Sequence, residues 1–173
     1  RSISFNGTSN HIKLNKNFNN QPSQFSVAAW IKVPAAAIPT HGTIISFNNA
    51  NTFQLRVNQA TGIGNNFIEF QTVSDGVSDA PLQYTGKRVN DGLWHLVVAV
   101  YNGGQRTLYL DGVPQVLGTV ESKSTGNGSN NFGMIGAQSN ATIFGQEPVG
   151  QFFTGQMAEV AMWNSAVDSI AVI

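Results

Sequence analysis

Apolar and polar residues alternate with a period of two along most of this chain, and Asn, Gly and Pro cut the alternation into short runs. Phe25, Val27, Ala29, Ile31 and Val33 fall on one side of an extended run, with Trp30 and Lys32 on the other. That is the spacing of a strand, whose successive side chains point to opposite faces. Pro34 ends the run, because proline cannot donate to a ladder. The clearest signal lies between Val89 and Gln115. Asn90-Asp91-Gly92 leads into Leu93–Tyr101, Asn102-Gly103-Gly104 turns the chain back, Thr107–Leu110 returns, and Asp111-Gly112 turns it again. Alternating runs joined by such turns predict a hairpin. Within it, Trp94, Leu96, Val98 and Val100 form the expected core face. His95, Val97, Ala99 and Tyr101 form a second face, which predicts a strand covered at least in part on both sides.

The rest of the chain repeats this grammar. Ser4–Leu14 reads as a short strand, an Asn6-Gly7 turn and another short strand. Thr43–Phe47, Phe53–Val57, Phe67–Val73, Leu82–Tyr84, Phe132–Ile135 and Phe152–Trp163 read as strands, with Asn15–Gln24, Thr61–Asn66, Val116–Asn131 and Ala137–Gln151 as loops. His41 falls in a proline-bounded loop, and Asn164–Ile173 reads as a tail with one helical turn. Ten to twelve short strands without a convincing helix predict an all-β fold, a two-sheet antiparallel β-sandwich or jelly roll, with residues 1–173 as one domain.

Composition narrows the partners. Charged residues are only 10% of the chain, and nine basic side chains balance nine acidic ones. The surface must then be covered by neutral amides and hydroxyls, which suits an extracellular, cell-surface or virion setting. No basic stripe exists for nucleic acid, and no apolar run is long enough to span a bilayer as a helix. Absence of cysteine excludes disulfides and thiolate metal sites. The start at Arg1 rather than Met reads as an excised domain, a processed product or an ordered fragment.

Phe25–Val33, Asp91-Gly-Leu-Trp94-His95, Leu108-Tyr-Leu-Asp111-Gly112 and Phe153-Thr-Gly155-Gln-Met157-Ala-Glu159-Val160-Ala-Met-Trp163-Asn164 occur in the order seen in laminin-G-like domains. The chain therefore resembles that family, part of the concanavalin A-like lectin/glucanase group, and it is also similar to pentraxins. The resemblance implies two curved antiparallel sheets with long loops along one edge, where a calcium ion and the ligand are often held. It also implies a packing or hydrogen-bonding role for His95.

Candidate chemistry follows. The nine carboxylates are scattered, and no cluster supplies the acid pair of a glycoside hydrolase. The Arg/Gln/His/Tyr motifs of related lyases do not stand out, so the expectation is a non-enzyme. Calcium needs several hard oxygens; Asn10, Asn51, Asp75, Asp79 and Gln151 are the candidates for one ion. However, Ser9-Asn10 and Ala158 stand where the family often has acidic residues. A sugar needs polar groups beside an aromatic ring. Asn127, Asn130, Asn131, Asn140, Phe144 and Gln146 are the candidates, with Phe152 and Phe153 as additional rings. The blander reading has Phe144 plugging its loop into the core and the asparagines making turns. Trp30, Trp94 and Trp163 are expected to pack in the core. The functional expectation is a non-catalytic module that binds carbohydrate through edge loops. The alternative is a structural or adhesion domain of a virion or cell surface, docking on a surface protein or sibling chains; a catalytic domain with a displaced acid pair stands third.

Overall fold

A computed structural model of the chain describes residues 1–18, 22–35, 41–48, 52–60, 65–74, 77–78, 80–117 and 130–168. Among them are thirteen strands: β1 (Ile3–Asn6), β2 (Ile12–Asn17), β3 (Gln24–Lys32), β4 (His41–Phe47), β5 (Phe53–Ala60), β6 (Asn65–Ser74), β7 (Val77–Ser78), β8 (Leu82–Tyr84), β9 (Trp94–Asn102), β10 (Gln105–Leu110), β11 (Val113–Leu117), β12 (Phe132–Ile135) and β13 (Thr154–Trp163). They form two antiparallel sheets. One has the order β1-β13-β3-β9-β10-β11, and the other β2-β12-β4-β5-β6-β7, with β8 also paired to β6. Among the described residues, no helix is long and apolar enough to cross a membrane.

The two hairpins of the Val89–Gln115 stretch form as read. Gly103 and Gly104 sit between paired Asn102 and Gln105, and Asp111 and Gly112 between paired Leu110 and Val113. All four turn residues have positive φ, which the twist of a two-residue hairpin turn demands. The Asn6-Gly7 turn closes no hairpin, because β1 and β2 lie in different sheets. Instead the Asn6 side-chain oxygen accepts the backbone N–H groups of Thr8, Ser9 and Asn10 at 3.1, 2.9 and 3.0 Å. That Asx-type turn carries the chain from one sheet to the other.

The face assignment of β9 is inverted relative to the sequence reading. Register pairs Tyr101 with Phe25, Ala99 with Val27 and Val97 with Ala29, and all six are fully buried between the sheets. Trp94, Leu96, Val98 and Val100 point outward. Both faces of β9 are apolar, so alternation could not choose between them. Pairing with β3, whose inward set is unambiguous, makes the choice, because a one-residue slip would exchange every side chain. The strand is nonetheless covered on both sides in part. Ala28, Val98, Val100 and Tyr109 form a small outer cluster under Ala166 and Val167. Ser26 Oγ holds that tail by donating to the Ser165 carbonyl at 2.7 Å and accepting the Val167 N–H at 2.9 Å. Through Asp168 the tail is not helical.

The three tryptophans are not in the core. Trp30, Trp94 and Trp163 are 36%, 38% and 43% exposed. Phenylalanine fills the interior instead. Phe25 of one sheet meets Phe53 of the other with ring centroids 4.8 Å apart, and Tyr101 stacks on Phe25 at 5.5 Å. Such ring pairs add about 0.5–1.5 kcal/mol beyond their burial.

Candidate ligand-binding face

The chemistry gathers on the outer face of the seven-stranded sheet. Along β5, Phe53, Leu55 and Val57 point inward, leaving Gln54, Arg56 and Asn58 outward. Register then sets Arg56 beside Thr43 of β4 and Glu69 of β6, Asn58 beside His41, and Glu69 beside Gln83 of β8. His41 begins β4 rather than lying in a loop.

Glu69 is the hub. Arg56 donates to Glu69 Oε1 through Nε at 2.7 Å and also through Nη2. Asn58 Nδ2 donates to the second carboxylate oxygen, as does Gln83 Nε2 at 3.0 Å. The Glu69 side chain is 1% exposed and that of Arg56 13%. A buried carboxylate is tolerated only when its charge and lone pairs are matched this fully. Burial, and then the charge of Arg56, hold the His41 imidazole below its usual pKa, with Glu69 opposing. The Asn58 side-chain oxygen is buried with no hydrogen-bond partner among the described residues.

The segment from Ala137 to Gln151 folds against one end of this face. Ser139 N–H reaches Ser46 Oγ at 3.3 Å, and Gln138 and Gly150 pair as an isolated bridge. Gln151 closes the segment. Its Oε1 accepts Gln54 Nε2 at 2.6 Å and Arg56 Nη1 at 3.3 Å, joining loop to sheet. At the loop's tip, Gln146 Oε1 accepts the N–H groups of Thr142 and Ile143 at 2.6 and 3.1 Å. Lys13 of β2 donates to the Gly145 carbonyl at 2.9 Å and pairs with Glu147, whose carboxyl it holds below the usual range.

The sugar candidates separate accordingly. Asn127 lies outside the described residues. Asn130 and Asn131 make turn contacts: Asn17 Nδ2 donates to Asn130 Oδ1 at 2.7 Å, and Asn131 N–H donates to Asn17 Oδ1 at 2.9 Å. Gln146 braces its own loop. Asn140 is exposed, and Phe144 is 51% exposed. Phe144 does not plug the core. Its ring leans on Phe132 at 6.2 Å, which places it over the strand that Asn130 and Asn131 introduce. Phe153 is buried in the interior, whereas Phe152 lies beside His11 with centroids 6.2 Å apart.

Of the calcium candidates, Asn51, Asp75 and Asp79 lie outside the described residues. Asn10 Oδ1 accepts the Asn6 N–H at 3.2 Å. Gln151 Oε1 faces a guanidinium, which repels a cation, so that oxygen does not fit calcium. Among the described residues no group of three His, Asp or Glu converges as a metal site.

Sequence reasoning missed His41, Thr43, Gln54, Arg56, Asn58, Glu69 and Gln83. The signal was the outward half of the alternation, Gln-x-Arg-x-Asn on β5, Glu69 on β6 and Gln83 on β8. Those positions become a constellation only when β4, β5, β6 and β8 pair. An Arg/Gln/His grouping on adjacent strands therefore does exist, although no contiguous motif announces it.

Comparison with known proteins gives the same architecture. No curated protein matches the sequence. Solved structures that share the fold include a native heptameric SAP-like pentraxin from Limulus polyphemus (TM-score 0.70, 21% identity, 99% of this chain and 79% of that one), domain 4 of an extracellular arabinanase from Geobacillus stearothermophilus in complex with arabinotriose (0.67, 19%, 99% and 74%), and a proposed carbohydrate binding protein from Bacteroides ovatus (0.68, 19%, 97% and 46%). A laminin-G-type family model matches residues 6–172. With that match spanning nearly the whole chain, and the two-sheet sandwich beneath it, the chain belongs to the concanavalin A-like lectin/glucanases superfamily.

Proposed function

We propose that this chain is a carbohydrate-recognition module whose ligand lies across the outer face of the seven-stranded sheet, against the 137–151 loop. The observation that carries this reading is the Arg56–Glu69 hub with Gln54, Asn58, Gln83 and Gln151 around it. Sugar hydroxyls need donors and acceptors held at fixed positions, beside an apolar surface for the ring. The hub fixes the amides, the half-buried side chains of His41, Asn58 and Gln83 stand around it, and exposed Phe144 and Ile143 supply apolar surface at the rim. Two structures of the same fold, the arabinanase domain in complex with arabinotriose and the proposed carbohydrate binding protein, support the same class of ligand.

Recognition without bond cleavage fits the placement of the two carboxylates described near this face. Glu69 is on β6, and Glu147 is tied to Lys13 on β2. With β12, β4 and β5 between them, strands β2 and β6 lie about 19 Å apart. A hydrolytic pair needs roughly 5–10 Å. Glu69 is also neutralised by Arg56, so it is poorly placed to exchange a proton. An extracellular or surface setting accompanies this reading, because a surface with so few charges is built for hydrogen bonding.

The test is a broad glycan array followed by calorimetry on the best hit. Gln83→Ala and Phe144→Ala each weaken binding roughly five- to ten-fold with the fold retained, as loss of one hydrogen bond or one ring contact implies. An array with no hit, or unchanged affinity in both variants, would refute the assignment.

A further inference from the structure

The opposite side of the sandwich carries different chemistry. All three tryptophans of the chain stand on the outer face of the six-stranded sheet. Register sets Trp94 of β9 beside Lys32 of β3, Trp30 of β3 beside Leu96 and Ala158, and Trp163 of β13 beside Ser26. The rings therefore run diagonally over three adjacent strands. Trp94 is a diagonal neighbour of Trp30, about 7–8 Å away. Trp163 stands roughly 14 Å from Trp30 in the opposite direction, four residues along and one strand over. Ala28, Ala158 and Ala161 share this face, so the rings rise above a low floor.

What the face can hold is narrowed by three further facts. β3 is paired along both edges, to β13 and β9, so no strand can be added there and a ligand is held by side chains. At the paired outward positions of β13, β3, β9 and β10, Lys32 is the one charged side chain, and exposed Glu159 stands in the unpaired bulge of β13; the polar remainder includes neutral groups such as Gln156, Asn102 and Thr107. An ionic polymer therefore finds little to match it. The chain's own tail covers the aliphatic end, through Ala166 and Val167 over Val98 and Val100, and leaves the rings partly bare. Partly bare tryptophans amid neutral amides and hydroxyls match the C–H faces and hydroxyls of uncharged sugars. Their separation calls for an extended chain rather than one ring.

We propose that the outer face of the six-stranded sheet is a second binding site, a tryptophan platform for extended neutral polysaccharide, independent of the polar face on the other sheet. Intrinsic fluorescence tests it, since every tryptophan is on this face. The full chain is titrated with linear arabinan, xylan, mixed-linkage β-glucan and mannan, with polygalacturonate as the charged control. The expected result is a blue-shifted emission with at least one neutral polymer and no response to polygalacturonate. The double variant Trp30→Ala/Trp94→Ala binds that polymer roughly ten-fold more weakly or worse in affinity electrophoresis. Trp30→Phe/Trp94→Phe, which keeps a ring at each position and guards against misfolding, restores most of the binding. Gln83→Ala leaves the emission response intact, which separates this site from the polar one. No response to any of the four neutral polymers overturns the proposal, as does an equal response to polygalacturonate or wild-type affinity in the alanine pair. A blue shift that grows with protein concentration alone also overturns it, by giving the face to a second copy of the chain.

Discussion

The Nδ1 atom of His95 lies 2.8 Å from Oδ2 of Asp111, joining two residues of the chain's most recognisable motif across the β9–β10 hairpin. Asp111 also accepts the Leu96 N–H at 3.0 Å and Lys87 Nζ at 2.7 Å, while the other ring nitrogen of His95 meets Asp91 at 3.0 Å. His95 is 1% exposed. The family pattern of Trp-His followed by Leu-Asp-Gly is therefore a bracing network around a buried histidine.

Asp111→Ala should remove three acceptor contacts and strand a buried ring nitrogen. A stranded buried polar group costs about 1–3 kcal/mol, which for a domain of this size lowers Tm by roughly 2–12 °C. Urea unfolding measures it, and a loss below about 0.5 kcal/mol, the range of ordinary surface changes, would contradict the bracing role.

Acid should unfold the protein partly through this network. Burial raises the Asp91 carboxyl, but the Leu93 N–H and His95 outweigh it and leave its pKa below the ordinary value. Asp111 is likewise lowered, with Lys87, His95 and the Leu96 N–H outweighing burial. Groups with depressed folded-state values contribute stability above the ordinary carboxylate range and lose it as pH falls through those lower values. An Asp91→Asn/Asp111→Asn variant should show a shallower fall in stability on acidification than the wild type. Parallel curves would sink the idea.

Glu69→Gln should leave Arg56 with its charge uncompensated and mostly buried, costing about 3–5 kcal/mol. Replacing both partners, Arg56→Met with Glu69→Leu, should cost less than that single change, because no orphan charge remains. Thermal denaturation of the two variants decides the order.

Phe53→Ala should cost about 3–5 kcal/mol by opening a cavity at the ring contact between the sheets. Gln146→Ala, in contrast, should cost about 1 kcal/mol or less. It should nonetheless speed hydrogen exchange at Thr142 and Ile143, whose N–H groups its side chain accepts.

Legibility differed between scaffold and site for a physical reason. Positive-φ turns such as Gly103-Gly104 and the one-sided strand Phe25–Val33 are local, so nearby residues suffice to read them. The Phe144 loop was also found, because its composition departs from strand grammar. The polar face was not, since Arg56 and Glu69 are thirteen residues apart in sequence, and each alone looks like an ordinary outward position.

By itself the sequence determined the all-β class, the turns, most strand positions and the superfamily, because period-two alternation and turn chemistry are properties of neighbouring residues. Tertiary structure decided which side of β9 meets the core, and hence that Trp94 is exposed and His95 buried. It also decided that Gln54, Arg56, Asn58, Glu69 and Gln83 share one face. Both outcomes are set by inter-strand register, which joins residues distant in the chain and leaves no trace in any short window of it.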